Sequence, residues 1–281
     1  MIIWIASYPK SGNTWVRAII NSLLDSNNNK VDINNIKIRQ FPLVRDFKGL
    51  ISNFKSEEQF AKNCIYAQDK INLDNEIKFF KTHNAFWKLG QYAFTNEINS
   101  LGVIYIVRDP RNVITSILNH FNRSINTYEK ALKFICDEKK MFGPETLPLL
   151  ENDLPTIISS WSNHYKSWKK FKKNYLLIKY ENLLNKPQIE FLKIANFLKK
   201  TINLKVDQSK IDVVIKNTQF KKFKDQEDNG GFKESAKNKN NENLNFFYLG
   251  PENDWRKYLD DNTKNSIENT FKDEMRELGY L

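Results

Sequence analysis

The sequence predicts an α/β fold: a single domain with a central parallel β-sheet flanked by helices. Four short runs are rich in β-branched and aromatic residues, as buried strands are, and they span residues 2–6, 77–81, 103–107 and 175–179. Helical stretches separate these runs. Near-continuous apolar strands that alternate with helices are typical of a parallel sheet that is covered on both faces.

Six segments have the periodicity of helices: 15–24, 111–122, 128–136, 157–171, 188–198 and 264–278. The second of them starts well, because Pro110 suits the first helical position and Asp109 can cap it.

Two long connections, 27–76 and 225–250, lie between the predicted elements. The second contains A-K-N-K-N-N-E-N-L-N, a polar run that predicts a mobile segment, with an ordered lid over a ligand as the alternative. No linker divides the chain, so we expect one domain over residues 1–281.

The composition excludes several classes of protein. No apolar stretch approaches the roughly 20 residues that span a bilayer, and the N-terminus lacks the pattern of a signal peptide. Cys64 and Cys136 have no metal-ligand spacing and make no disulfide framework, so we expect a cytoplasmic protein.

The net charge of +11 suggests an anionic partner. Lysine and asparagine are abundant along the whole chain, as an AT-rich genome alone would produce, and the basic residues are dispersed rather than clustered. This pattern disfavours nucleic acid and favours a small polyanionic ligand.

Three predicted strands end in chemically reactive residues, at 10–14, 81–83 and 108–111. In an open parallel sheet, ligands bind beyond the carboxyl ends of the strands. Three such endings at one edge of a sheet predict a binding site.

The first of these turns, P-K-S-G-N-T, leads from a strand into a helix and suits a phosphate, since backbone N–H groups at a helix N-terminus attract anions. It is P-loop-like, but its lysine precedes its one glycine, unlike the Walker A motif. This order disfavours an ordinary ATPase or kinase. Arg108, with Ser116 two helical turns later, can hold a second phosphate.

The sequence resembles the PAPS-dependent sulfotransferases of the cytosolic type and their bacterial relatives. The resemblance rests on Y-P-K-S-G-N-T-W (8–15), K-T-H (81–83), I-Y-I-V-R-D-P-R-N-V-I-T-S (104–116), Y-E-N-L (180–183), N-T-Q-F (217–220) and L-G-P-E-N-D-W (249–255). These motifs occur in the order of the family and cover nearly the whole chain. The first and third are specific to the family, whereas the others mean little alone.

The resemblance implies that the donor is 3′-phosphoadenosine-5′-phosphosulfate (PAPS), that the product is 3′,5′-ADP and that no metal is needed. His83 would be the catalytic base, and Lys10 and Lys81 would stabilise the transferring group. The residues implied in holding the donor are Lys10, Ser11, Gly12, Asn13 and Thr14 for the 5′-phosphosulfate, Arg108 and Ser116 with Gly250 for the 3′-phosphate, and Trp15, Tyr180, Thr218 and Phe220 around the adenine.

The chain departs from the family pattern at two points. Asn13 replaces a threonine, and we expect its amide to reach a phosphate oxygen instead. Tyr248 and Leu249 replace the Arg-Lys pair that binds the 3′-phosphate in the family. We expect PAPS to remain the donor, with Arg111 or a lysine of 233–239 as a compensating cation.

The resemblance also puts the acceptor near His83, between the connection after the first strand and residues 121–155. The acceptor is a small molecule, a lipid or a sugar, and its class stays open, as does the oligomeric state. The other histidines, His120 and His164, suit structural roles. The candidate lining residues are Phe41, Phe47, Phe54, Tyr66, Phe86, Trp87 and Phe142.

Two other functions remain open at this point. One is a nucleotide-dependent kinase or phosphotransferase on a related fold. The other is a catalytically silent nucleotide-binding module, although the K-T-H motif argues against it because pure binding needs no base there.

Overall fold

A four-stranded parallel β-sheet forms the centre of the computed structural model, which describes residues 1–25, 31–51, 56–143 and 154–281. Its strands are β1 (Ile2–Ser7), β2 (Lys78–Thr82), β5 (Ser100–Val107) and β8 (Tyr175–Lys179), in the order β2-β1-β5-β8. Two short antiparallel pairs complete the strands: β3 (Lys88–Leu89) with β4 (Tyr92–Ala93), and β6 (Met141–Phe142) with β7 (Thr156–Ile157). The predicted central parallel sheet is therefore confirmed.

Twelve α-helices surround the sheet within the described residues. They are α1 (Asn13–Leu24), α2 (Glu57–Ile71), α3 (Pro110–His120), α4 (Tyr128–Cys136), α5 (Trp161–Lys169), α6 (Tyr180–Asn185), α7 (Pro187–Ile202), α8 (Gln208–Asn217), α9 (Phe220–Gly230), α10 (Trp255–Tyr258), α11 (Asp261–Thr270) and α12 (Lys272–Glu277). None of the helices in this part of the chain is both long and apolar enough to cross a membrane.

Both faces of the sheet are buried, as the apolar strands predict. Alternate residues of β1 point to opposite faces, so that Trp4 lies in one apolar cluster and Ile5 in the other. Helices α2 to α5 with α11 and α12 cover the first face, and α1, α7 and α8 cover the second. The sheet is thus fixed from both sides, and its strand ends are rigid supports for a site.

Two helix predictions need correction, and several helices, such as α2, were not predicted. The helix predicted at 157–171 starts only at Trp161, because Ile157 pairs with Met141 and the Ser160 side chain caps the helix. The helix predicted at 264–278 is divided at Phe271 into α11 and α12. The connection 27–76 contains helix α2, which the sequence analysis missed although Ser56 caps its first turn.

Residues 231–250, which we call the covering segment, are packed against the body of the protein. Phe232 and Phe247 join Phe223 of α9 in a third apolar cluster. The buried Glu227 carboxylate accepts hydrogen bonds from the backbone N–H groups of Phe246 (2.7 Å) and Phe247 (2.8 Å). The phenylalanines and one buried carboxylate thus hold a run that is otherwise polar, which favours the ordered alternative over a mobile segment.

Candidate active site

A cavity of about 770 Å³ opens at the carboxyl ends of the strands. Lys10 after β1, Lys81 and His83 at the end of β2, and Arg108 after β5 all line it. The three strand endings that the sequence analysis singled out therefore meet in one place. The volume lies within the range of about 300–1,000 Å³ that is typical of ligand pockets.

The turn between β1 and α1 depends on two residues with positive φ. Lys10 has φ 65° and Gly12 has φ 99°. A Cβ on Gly12 would also lie 2.6 Å from the Tyr180 ring, so that glycine is required both by conformation and by space. Helix α1 begins at the next residue, and the N–H groups of its first turn have no partner within the helix.

Among the described residues, four buried donors around this turn have no hydrogen-bond partner: Lys10 Nζ, Ser11 Oγ, Trp15 Nε1 and Arg108 Nε. Buried polar groups are normally paired, so a cluster of unpaired donors beside a cavity indicates a ligand with oxygen or nitrogen acceptors. Together with the N-terminus of α1, these residues fit an anionic nucleotide.

Lys10 is a buried ammonium group. Its Nζ lies 3.7 Å from the centre of the Phe246 ring, which belongs to the covering segment. Burial, assisted by the positive charges of Lys81 and Arg108 and opposed by Glu234, lowers the pKa of Lys10 to about 7. The charge of this lysine therefore depends on what occupies the cavity.

His83 has the geometry of a neutral base. Its Nδ1 lies 2.8 Å from the Ser7 carbonyl oxygen, to which it donates, and this bond leaves Nε2 unprotonated. Burial, followed by the positive charge of Lys81, lowers the pKa of His83 well below its usual range. The imidazole is therefore neutral near pH 7.

His164 forms a hydrogen bond with the backbone of His83. Its Nε2 donates to the His83 carbonyl oxygen (3.1 Å), and its Nδ1 accepts from the Tyr105 hydroxyl (2.8 Å). Burial lowers the pKa of His164 to about 3, so it too is neutral. The structural role that the sequence analysis gave it agrees with these contacts.

Arg108 and Ser116 form a pair at the opposite side of the turn. Arg108 Nη1 donates to Ser116 Oγ (3.0 Å) and to the Lys10 carbonyl oxygen (3.0 Å). Its guanidinium lies 4.2 Å from the centre of the Tyr180 ring. The remaining donors of the fork can bind an anion without moving the turn.

Aromatic side chains of Trp15, Tyr180 and Phe220 also line the cavity. Trp15 and Tyr180 meet edge to face at 5.7 Å, and Phe220 lies against Gly250. All four residues line the cavity, as a binding site for a planar base requires.

Two predicted donor contacts are not made as expected. The Asn13 amide nitrogen donates to the Ile5 carbonyl oxygen (3.0 Å) and to Ser7 Oγ (3.2 Å), so it points into β1 rather than toward a phosphate. Thr218 is fully buried and its hydroxyl donates to the Val214 carbonyl oxygen, outside the cavity lining. Each group satisfies a nearby backbone carbonyl, which a sequence motif cannot reveal.

The expected compensating cations do not reach the cavity either. Arg111 is buried and paired with Asp109 (2.7 Å) and Glu268 (2.6 Å). Among the described residues, no lysine of 233–239 lines the cavity, whereas Tyr248 and Leu249 do. Arg108, whose Nη1 donates to Ser116 Oγ at 3.0 Å, therefore remains the cation expected to bind the 3′-phosphate.

Glu234 of the covering segment enters the same cavity, and the sequence analysis missed it. Its carboxylate accepts from Arg17 Nη1 (2.7 Å), Thr14 Oγ1 (3.1 Å) and Lys81 Nζ (3.4 Å). Burial raises its pKa, but Lys81, Arg17 and the hydrogen bonds outweigh burial and hold the pKa at about 2. No pattern in the polar run around this residue indicates such a contact.

His120 was also missed, since it lines the cavity instead of having only a structural role. It follows Ser116 by four residues, so the two share one face of α3, and this spacing was the available signal. Its ring lies 5.7 Å from that of Phe246. Burial, with Lys10 and Lys81, lowers the pKa of His120 to about 3.

The second half of the cavity is apolar and aromatic. Of the predicted lining residues that the structure describes, only Phe142 lines the cavity. Phe41 and Phe47 are in the core, and Phe86 and Trp87 pack against it. Tyr66 is exposed, and Phe54 lies outside the described residues. The observed apolar walls come from within 121–155, as expected, and include Phe121, Ile125, Phe134 and Leu154. The described part of the chain has no group of three or more His, Cys, Asp or Glu side chains that could hold a metal ion.

Comparisons with known proteins agree with this geometry. A family model described as the sulfotransferase domain matches residues 2–279. The chain is 28% identical to sulfotransferase 1B1 of Canis lupus familiaris over 233 residues, which are 79% of this chain and 66% of that protein. It is 25% identical to cytosolic sulfotransferase 7 of Arabidopsis thaliana over 199 residues, 70% of this chain and 55% of that protein. The chain thus spans about two thirds or less of the length of these two relatives.

The fold is also similar to that of solved structures. A crystal structure of retinol dehydratase in complex with androsterone and the inactive cofactor PAP superposes with a TM-score of 0.62. The sequences are 18% identical, and the match covers 98% of this chain and 80% of the other. A likeness at this level of identity shows a shared fold.

Proposed function

The chain belongs to the sulfotransferase domain family, and we propose that it transfers the sulfuryl group of PAPS to a hydroxyl or amine acceptor. The observation that carries the proposal is the meeting of two features in one cavity. Unpaired donors surround the turn of residues 10–15, and the free Nε2 of the neutral His83 lies at the end of the neighbouring strand.

The residues that would hold the donor fit its chemistry. Bound PAPS would supply the sulfuryl group, and 3′,5′-ADP would remain after transfer. The α1 N-terminus with Lys10 and Thr14 would bind the 5′-phosphosulfate, and Trp15, Tyr180 and Phe220 would enclose the adenine. Arg108 and Ser116 would bind the 3′-phosphate. PAP in the related crystal structure supports this assignment, since it is the same nucleotide as 3′,5′-ADP.

The chemical step needs one proton acceptor and stabilisation of charge. As the acceptor oxygen or nitrogen forms its bond to sulfur, its proton passes to His83 Nε2, and the bond between sulfur and the 5′-phosphate oxygen breaks. Negative charge would collect on that oxygen, and the Lys10 ammonium would stabilise it. A preorganised donor of this kind is typically worth about 3–4 kcal/mol. Positioning supplies much of the remaining acceleration, as in phosphoryl transfer.

The apolar half of the cavity favours an acceptor with an aromatic or aliphatic body. Phe121, Phe134, Phe142 and Leu154 would pack against it, with the reacting hydroxyl directed at His83. The androsterone in the related structure supports a small-molecule acceptor of this kind. Lipid alcohols and sugars remain alternatives. The name of the Arabidopsis relative supports the expected cytosolic location.

The 3′-phosphate would have the fewest cationic partners of the donor's anionic groups, because Tyr248 and Leu249 offer no cation. We infer that Arg108 and Ser116 still discriminate 3′,5′-ADP from 5′-AMP. Titration calorimetry with the two nucleotides tests this inference. Equal affinities would remove PAPS as the expected donor.

A screen of donors and acceptors tests the function itself. Purified protein would be incubated with PAPS and a panel of phenols, lipid alcohols, amines and sugars, and the formation of 3′,5′-ADP would be measured by chromatography. We expect acceptor-dependent formation of 3′,5′-ADP and thermal stabilisation by it. Stronger stabilisation by ATP, with no turnover of PAPS, would favour the phosphotransferase alternative instead.

A further inference from the structure

Glu234 is the only acidic side chain among the described residues that line the cavity. The other charged groups there are the cations Lys10, Lys81, Arg108 and Lys140. An anion-binding site gains nothing from a carboxylate unless that carboxylate acts on the cations around it. Its contacts therefore need an explanation beyond donor binding.

Side chains from two elements, α1 and β2, meet at this carboxylate. Oε1 accepts from Arg17 of α1 at 2.7 Å. Oε2 accepts from Thr14, also in α1, at 3.1 Å and from Lys81 of β2 at 3.4 Å. Glu234 thus joins the covering segment to Thr14 and Lys81, two of the residues that are expected to touch the phosphosulfate.

Arg17 anchors the carboxylate from outside the cavity. Its side chain is only 6% exposed, and its Nε donates to the Ile38 carbonyl oxygen at 3.1 Å. Arg17 is not part of the cavity lining, so a ligand there leaves this ion pair in place. A carboxylate has lone pairs enough to keep Arg17 on one oxygen and to hold Thr14 and Lys81 with the other.

We propose that Glu234 is a positioning residue for sulfuryl transfer: anchored by Arg17, it holds the Lys81 ammonium and the Thr14 hydroxyl in place from the covering segment. This inference rests on the proposed function, because it concerns how the lysine of the same site is held. Lys81 can keep its contact with Glu234 while it binds the donor, since an ammonium has three protons.

The charges around Lys81 support this role. Burial lowers its pKa, Glu234 raises it and Arg17 lowers it. Of the other groups that face it, Lys10 is a further cation and His83 and His120 are neutral. Glu234 is therefore the group that favours the charged form of Lys81, and a nearby opposite charge shifts a pKa by about 1–3 units.

The opposite interpretation is that Glu234 blocks the site by occupying the contacts of the donor anion. The two interpretations predict opposite effects of removing the charge. Positioning predicts slower transfer and a lower pKa for Lys81. Blocking predicts tighter binding of 3′,5′-ADP with unchanged or faster transfer.

The test compares Glu234→Gln with Glu242→Gln. Glu242 lies on the same segment but is exposed, and among the described residues its carboxylate accepts a hydrogen bond from Asn238 Nδ2 of that segment at 2.7 Å. In donor-free protein, the pH dependence of competitive lysine acetylation, read by mass spectrometry, gives the pKa of Lys81. We expect Glu234→Gln to lower that pKa by about one unit or more, and Glu242→Gln to leave it unchanged.

Kinetics provide the second measurement. We expect Glu234→Gln to lower kcat by roughly tenfold to a hundredfold, as misplacement of a catalytic group does, and to shift the alkaline limb of the pH profile downward. Glu234→Asp keeps the charge and should restore the pKa of Lys81, which separates the role of the charge from a folding defect. An unchanged Lys81 pKa, or tighter 3′,5′-ADP binding with undiminished kcat in Glu234→Gln, would overturn the inference.

Failure of the inference about Glu234 can be distinguished from failure of the proposed function. If wild-type protein and Glu242→Gln transfer sulfuryl groups while Glu234→Gln behaves like them, the inference fails and the function stands. If wild-type protein transfers none, the function fails, and with it the catalytic role of Glu234. The labelling result then still decides whether the carboxylate controls the charge of Lys81.

Discussion

At the scale of single residues, the site combines a neutral base with a lysine, Lys10, that is only partly charged near pH 7. His83 is held by the Ser7 carbonyl on one ring nitrogen, and its other nitrogen is free to accept a proton. Lys10 has a pKa of about 7 because it is buried among other cations. Lys10 would therefore act on a bound anion, and His83 on the proton of an acceptor.

Replacement of His83 by alanine tests the base. We expect turnover to fall by about 10²–10⁴-fold, the usual contribution of a general base. The affinity for 3′,5′-ADP should stay largely intact, since His83 is expected to meet the acceptor and not the nucleotide. Turnover assays and calorimetry on the same preparation check both statements, and near-normal turnover would exclude His83 as the base.

The pKa of Lys10 gives a prediction of pH dependence. Below pH 7 the free lysine is charged and attracts the phosphate; above pH 7 it is neutral and does not. The affinity for 3′,5′-ADP should therefore decrease roughly tenfold between about pH 6.5 and 8.5, as measured by calorimetry. Lys10→Met should bind more weakly at the lower pH and lose most of this dependence. A pH-independent affinity in wild-type protein would contradict the assignment.

At the scale of elements, the turn between β1 and α1 and the covering segment form the two sides of the cavity. The turn was predictable, because a strand, a glycine and a helix in that order have one common geometry. The contacts of the covering segment were not predictable from its sequence. The segment is fixed by contacts with distant residues, such as Glu234 with Arg17 and Phe246 with Lys10, and polar composition carries no information about these contacts.

Gly12→Ala tests whether the turn is the centre of the site. A Cβ there would lie 2.6 Å from the Tyr180 ring at a φ of 99°, so we expect the turn or Tyr180 to shift. The substitution should lower the melting temperature and weaken 3′,5′-ADP binding by at least about tenfold.

Gly230→Ala is the matched control, because apart from the local backbone no atom of the described residues lies within 4 Å of its Cβ position, and its φ is ordinary. It should keep wild-type affinity. Equal affinities of the two variants would show that the turn does not hold the nucleotide.

At the scale of the whole molecule, one sheet supports both apolar layers and the site at its carboxyl edge. The four strands were predictable because buried parallel strands are short apolar runs, and β8 was predicted at its observed bounds, Tyr175–Lys179. The convergence of the three strand endings followed from topology alone. The hydrogen bonds that direct Asn13 and Thr218 away from the cavity could not be predicted, since they depend on side-chain orientation.

The two apolar layers should unfold as one unit, since they share the sheet. Ile104 lies in one layer and Ile267 in the other, and both are fully buried. We expect Ile104→Ala and Ile267→Ala each to lower the free energy of unfolding by about 2–5 kcal/mol. Urea unfolding followed by tryptophan fluorescence and by circular dichroism should give coincident single transitions for both. Two separate transitions would indicate layers that fold independently.

The central claim is that this cavity transfers a sulfuryl group from PAPS. The most direct test is the transfer of label from [³⁵S]PAPS to an acceptor from the panel, with [γ-³²P]ATP as the competing donor, in wild-type protein and in His83→Ala. The account predicts ³⁵S-labelled product from wild-type protein, little from His83→Ala and no ³²P-labelled product from either. Phosphoryl transfer from ATP without sulfuryl transfer from PAPS would contradict it.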